Sequence, residues 1–243
     1  MTDFDFDRFD ALTFDCYGTL IDWETGISRG LRALLEPRGI EATDDELLVA
    51  FAREEATIEA GPYLPYREVL AGAARGVTAA FGVTPSEADL ATFGGSVGEW
   101  PAFADSADAL LRLGGRFRLG VITNCDDDLF AASNRRLGVT FDWIVTAQQL
   151  RSYKPNPRNF ELALARIDLP RERILHVAQS LFHDHVPARA LGFATAWIDR
   201  RRDKAGSGAT PPATATPDVT APDMATFADL ALGGAGRPAG ARP

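Results

Sequence analysis

The segment Asp15-Cys16-Tyr17-Gly18-Thr19-Leu20 places a carboxylate at the end of a short apolar run, Ala11-Leu12-Thr13-Phe14. An aspartate so placed, followed by a glycine turn and a hydroxyl, can be held by backbone N–H groups. It then stays ionised and can attack an electrophilic carbon or phosphorus. A lone aspartate more often caps a turn, so the segment acquires meaning only alongside others. Three other stretches put polar groups just beyond apolar runs. Thr123-Asn124 follows residues 117–122, Lys154 follows Trp143-Ile144-Val145-Thr146, and Gln179, Ser180 and Asp184 follow Ile174-Leu175-His176-Val177-Ala178.

Those apolar runs have the length and composition of buried strands, as does a fifth, Ala194-Thr195-Ala196-Trp197-Ile198, which ends at Asp199. Helical patterns over 106–113, 127–137, 157–167 and 186–191 separate them. Strand and helix in alternation predict an α/β fold with a doubly wound parallel sheet. In such a sheet the ligand crevice lies beyond the carboxyl ends of the strands, where the polar residues above would gather. Between 22 and 98 the pattern changes. Leu31, Leu34 and Leu35, then Leu47, Leu48 and Phe51, then Val69, Leu70, Ala73 and Ala74 recur at helical spacing. This predicts a core of residues 1–21 and 99–202 interrupted by a helical insert over 22–98. From 203 to 243 the composition shifts to Ala, Thr, Pro and Gly, the signature of a flexible segment. A short helix over 226–232 can dock back, with the final residues disordered.

The 243 residues carry a formal net charge of -9, with 46% hydrophobic and 24% charged residues. A packed globule is expected. The acidic balance argues against a nucleic-acid groove or adhesion to an anionic membrane. The N-terminus is too acidic for a signal peptide, and no apolar run reaches the roughly 20 residues of a membrane span. Cys16 and Cys125 have no metal-type spacing, and a reducing cytoplasm is the simplest address.

Taken together, Asp15 to Thr19, Thr123-Asn124, Lys154 and the run Val177 to Asp184 resemble the four ordered motifs of the haloacid dehalogenase superfamily. The resemblance spans about residues 8–202 and implies a Rossmann-like core, with the insert in the position of a helical cap. Phosphatases of that superfamily carry a second aspartate two residues after the nucleophile, where this chain has Tyr17. Their fourth motif supplies a carboxylate to Mg²⁺, where this chain has Gln179. A phenol is a poor general acid and an amide a weak ligand for a hard dication. The Asp-x-Tyr-Gly-Thr-Leu and Tyr-Lys-Pro patterns resemble instead the metal-independent 2-haloacid dehalogenase branch.

That branch implies hydrolysis of short L-2-haloalkanoic acids through an aspartyl ester, without metal or organic cofactor. Asp15 would attack C2, aided by Thr19, and Lys154 would pair with it. Thr123 and Asn124 would bind the substrate carboxylate, with Tyr17, Gln179 and Ser180 around them. Asp184 would orient or deprotonate the hydrolytic water. A cap arginine would receive halide, Arg53 first and Arg67 behind it. Phe160 stands where the branch has a tyrosine, and His176, His183 and His185 suggest structural or pocket-lining roles. The resemblance leaves a homodimer open. Two other readings remain: a Mg²⁺-dependent phosphatase, and a catalytically weakened module that binds small carboxylates.

Overall fold

The structure is a computed structural model that describes residues 4–233. The five expected runs form strands Ala11–Phe14 (β1), Arg118–Thr123 (β2), Trp143–Thr146 (β3), Ile174–Ala178 (β4) and Ala194–Ile198 (β5). Near-continuous apolar composition suits them because helices cover both faces of the sheet and leave little need for alternation. All pairings are parallel, in the order β3-β2-β1-β4-β5, with Val219–Ala221 (β6) beyond β5. The chain starts in the middle, at β1, and fills the sheet outward on either side. The strand order therefore reverses beside β1, which opens a crevice there. Phe14 lies opposite both Val121 and Val177. Asp15 leaves the sheet one residue later, between the ends of β2 and β4.

Between β1 and β2 come five helices with no intervening strand, of which the first four, Trp23–Leu35 (α1), Asp44–Glu59 (α2), Tyr66–Ala80 (α3) and Glu87–Gly95 (α4), form the insert. Two begin with reciprocal caps, Thr43 with Glu46 and Ser86 with Asp89, which satisfy N–H groups the first turn leaves open. Their apolar stripes, including Leu31, Leu47, Phe51, Leu70 and Phe93, are buried and join the core on one face of the sheet. Helices Ser106–Gly114 (α5), Asp127–Leu137 (α6), Ala147–Leu150 (α7), Arg158–Arg166 (α8) and Val186–Ala190 (α9) complete the core. Among the described residues no helix is long and apolar enough to cross a membrane.

The stretch after Arg202 departs from the expected flexible segment. Val219–Ala221 adds a sixth parallel strand, β6, beside β5, and Met224–Ala231 forms a docked helix, α10. Asp105 accepts hydrogen bonds from the N–H groups of Met224 and Ala225 at 2.7 and 3.2 Å, which ties the start of α10 to the core. Met224, Phe227, Ala228 and Ala231 share a buried face. The docked helix matches the one expected over 226–232, whereas a linker-like composition hid the strand. The expectation of disorder at the extreme C-terminus falls outside the described residues.

Phe227 is fully buried, with its ring 6.2 Å from Phe6. Phe227→Ala should therefore destabilise the fold by about 3–5 kcal/mol in a urea titration, the usual cost of emptying a core phenylalanine site. A mobile tail would give a change near zero.

Candidate active site

Asp15 is 6% exposed, and its two oxygens face different partners. Thr19 Oγ1 donates to Oδ2 at 2.7 Å, while Lys154 Nζ donates to Oδ1 at 2.9 Å. Thr19 can reach back because the chain turns at Gly18, where φ is +92°. A Cβ at Gly18 would lie 2.9 Å from the Trp23 indole nitrogen, so both conformation and space demand glycine. The Gln179 N–H donates to Thr19 Oγ1 at 2.9 Å and locks the hydroxyl so that its proton points at Asp15.

Lys154 is 1% exposed and spends all three ammonium protons inside the protein. Besides Asp15 it reaches Asp184 Oδ1 at 2.7 Å and the Ile122 carbonyl at 2.8 Å. Its backbone is gripped on both sides by Asn124, whose Oδ1 accepts from Lys154 N at 2.8 Å and whose Nδ2 donates to Lys154 O at 2.9 Å. His176 Nε2 lies 2.9 Å from the same Asp184 oxygen, and its Nδ1 lies 3.0 Å from Thr13 Oγ1. Burial pushes Asp15 above the usual carboxylate range, against the pull of Lys154 and the two hydrogen bonds. Asp184 is buried too, but Lys154 and His176 outweigh that and hold it well below its ordinary value. Burial works against the Lys154 charge, yet the two carboxylates win and raise its pKa. One ammonium thus holds two carboxylates away from water.

Asp15, Asn124, Lys154, Ser180 and Asp184 line one cavity of about 20 Å³, together with Tyr17, Trp23, Glu55, Glu59, Tyr66 and His183. That volume suits a water molecule. It adjoins a cleft of about 400 Å³ that shares Glu59 and Lys154 and runs between α2 and the residues around Arg151. Tyr17 contributes its ring, while its hydroxyl is engaged by Ser133 at 3.1 Å and Cys125 at 3.3 Å. Thr123 and Gln179 sit close by without lining the cavity; Thr123 Oγ1 and Gln179 Oε1 are buried with no partner among the described residues.

The expected cap arginines are elsewhere. The Arg53 side chain is 68% exposed and pairs with Glu54 at 2.9 Å, and Arg67 pairs with Asp126 and Asp128. Helix geometry gives the reason. Phe51 faces inward, so Arg53, two residues on, points away, whereas Glu55 and Glu59 follow at four-residue steps on the inward face. That spacing was readable in the sequence. Tyr66 Oη donates to Glu55 at 2.8 Å and Asn124 Nδ2 donates to Glu59 at 3.3 Å. Burial pushes Glu55 up to about 8, and burial together with Glu55 drives Glu59 well above its usual range. Glu55 is thereby neutral near pH 7 and Glu59 is shifted in the same direction, which eases the approach of an anion to a wall that its residue types would make repulsive.

The donors do not fit a divalent cation between Asp15 and the fourth motif. Tyr17 is a phenol that burial keeps protonated, Gln179 offers an amide, and an ammonium already bridges the two carboxylates. The arrangement can instead present a carboxylate nucleophile to carbon and keep a second carboxylate beside it.

A family model of haloacid dehalogenase-like hydrolases matches residues 9–181. An (S)-2-haloacid dehalogenase of Pseudomonas putida is 32% identical over 103 residues, covering 41% of this chain and 44% of the relative, so that match spans less than half of the relative's length. A second (S)-2-haloacid dehalogenase, from Pseudomonas sp. strain YL, is 25% identical over 207 residues, 80% of this chain and 84% of the relative. The solved L-2-haloacid dehalogenase from Xanthobacter autotrophicus with chloropropionic acid covalently bound superposes with a TM-score of 0.76 at 20% identity, covering 93% and 99% of the two chains. At that identity the likeness speaks for the fold.

Glu55 binds a proton in the folded state up to about pH 8, whereas an unfolded glutamate releases it near 4.5. The folded state therefore holds more protons across that window, and stability falls as pH rises through it. Glu55→Gln keeps the shape and the acceptor for Tyr66 but cannot ionise. Its stability relative to the native chain should improve steadily from pH 5 to pH 8, by on the order of a few kcal/mol in total. Parallel denaturation midpoints across that range would contradict the neutral wall.

Proposed function

This chain belongs to the haloacid dehalogenase-like hydrolases, and from that membership we propose that it hydrolyses short L-2-haloalkanoic acids through an ester on Asp15. The observation that carries the reading is Lys154 Nζ between Asp15 and Asp184, beside a phenol (Tyr17) and an amide (Gln179) rather than further carboxylates. The two haloacid dehalogenase relatives, and a structural neighbour with chloropropionic acid covalently bound, favour the same chemistry.

In the first step an Asp15 oxygen attacks C2 on the side opposite the halide. A C–O bond forms as the carbon–halogen bond breaks, and the halide leaves with the electron pair. No proton is needed by the leaving group, so the neutral phenol of Tyr17 is no handicap. Lys154 keeps Asp15 ionised despite its burial. Thr19 fixes one oxygen, leaving the carboxylate in a single orientation for attack. Thr123 at the end of β2, Asn124 just after it, and the raised-pKa acids Glu55 and Glu59 would receive the substrate carboxylate. In the second step water adds to the Asp15 carboxyl carbon and the alkyl oxygen departs as a hydroxyl, beside Asp184. Inversion at C2 gives the D-2-hydroxy acid. The reaction proposed uses no metal or organic cofactor.

Asp15→Asn should abolish halide release from a panel of chloro-, bromo- and fluoroacetate and L-2-chloropropionate. Lys154→Met should lower kcat/KM by at least ~10³-fold, because it strands a buried carboxylate. A chelator should leave activity unchanged; loss of activity with it would favour the phosphatase reading. As pH rises through about 8, Glu55 ionises and adds a negative charge to the pocket. The kcat/KM for an anionic haloacid should fall there, and Glu55→Gln should flatten that limb. A profile identical in the two proteins would contradict the role given to the wall.

A further inference from the structure

His183 belongs to no expected catalytic set, yet it lines the cavity that holds Asp15 and Asp184. It is 7% exposed, and its Nε2 has no partner among the described residues. Asp184 Oδ2 is likewise buried and unpartnered, because Lys154 and His176 both use Oδ1. A buried acceptor without a partner costs about 1–3 kcal/mol, and here two such atoms belong to residues that line one water-sized space.

Local backbone explains their approach. Residues Leu181–His185 form a π-helical turn, a wider coil that is frequent at functional sites. Ser180 caps this turn: its Oγ accepts from the His183 N–H at 2.9 Å and lies 3.1 Å from His183 Nδ1. In the tautomer with the proton on Nδ1, both Ser180 lone pairs are engaged and Nε2 presents a lone pair to the cavity. Burial lowers the His183 pKa to about 4, so the ring is neutral and able to accept near neutral pH.

We propose that His183 Nε2 and Asp184 Oδ2 together hold the water that hydrolyses the Asp15 ester, making His183 a catalytic residue for that step. The inference rests on the dehalogenase reading. A water donating one proton to each acceptor turns a lone pair toward the Asp15 carboxyl carbon. As the water oxygen bonds to that carbon, one proton passes to the His183–Asp184 pair. The carbon–oxygen bond to the alkyl group then breaks, and that proton is returned to the departing hydroxyl. The other water proton is lost when the new Asp15 carboxyl ionises. Neither acceptor takes part in displacing the halide, so the two steps depend on different residues.

The test mixes enzyme with limiting L-2-chloropropionate, then follows chloride release and the mass of the Asp15 peptide after acid quench. In His183→Leu, chloride should appear in a burst at the native rate, while the alkylated peptide persists with a lifetime lengthened ~100-fold, the usual scale of a positioned base. His183→Gln, whose side-chain oxygen can accept from water, should shorten that lifetime again. Circular dichroism checks that the variants fold; a misfolded His183→Leu would leave the decision to His183→Gln, which must then slow ester loss relative to the native enzyme. A native burst with native ester lifetime in a folded His183→Leu would overturn the inference alone. Loss of the burst in that folded variant would also overturn it, since His183 would then act in the first step. Absence of any burst or ester in the native enzyme would overturn the dehalogenase reading and this inference with it.

Discussion

A lysine ammonium buried against two carboxylates is the constraint from which the rest of this molecule follows. Neither Asp15 nor Asp184 can stay charged at 0–6% exposure without Lys154, and Lys154 cannot stay charged without them. Removing one member of such a buried group typically costs 3–5 kcal/mol, because the others are left uncompensated. The fold satisfies this demand by topology. Asp15 follows the central strand, Asp184 lies beyond its neighbour β4, and Lys154 comes from the segment after β3, reaching past the end of β2 to the Ile122 carbonyl. Asn124 holds the lysine backbone from both sides, so the long side chain is aimed rather than left to find its partners.

The same ammonium explains the chemistry the site has moved away from. The residues beside the two carboxylates are an amide, Gln179, and a phenol, Tyr17, which offer little to a divalent ion. The helical insert then determines what meets the nucleophile. It supplies Glu55 and Glu59 where an arginine was expected, and burial raises both acids above the usual carboxylate range, Glu55 to about 8. A pocket whose residue types look strongly anionic therefore behaves as a set of neutral hydrogen-bonding groups. That behaviour reconciles an acid-lined wall with an anionic substrate, and it makes the site sensitive to alkaline pH.

Much of this was legible in the sequence because the relevant signals are local. The five core strands are short apolar runs with polar residues beyond them, and four of those runs became strands with unchanged ends. Asp15, Thr19, Lys154 and Asp184 were readable as a set because their ordered motifs resemble those of the superfamily. What escaped depends on rotation and on docking. Arg53 was chosen by charge, although its angular distance from Phe51 puts it on the outer face of α2. Glu55 and Glu59 share the buried stripe, but acidic residues on a helix are read by default as solvated. His183 lies in a π-helical turn, and a five-residue coil changes which side chains point inward. The helix over 226–232 was expected, but the strand β6 was hidden by a composition of small residues and proline, whose burial depends on partners far away in the chain.

The central claim is that Asp15 bonds covalently to the carbon that loses its halide. A single turnover in H₂¹⁸O with enzyme in excess, followed by digestion and mass analysis, addresses it most directly. The account requires one heavy oxygen in the peptide that contains Asp15, because water attacks the carboxyl carbon rather than C2. Heavy oxygen found only in the hydroxy acid, with an unlabelled Asp15 peptide, would mean that water attacks the substrate itself and would contradict the account.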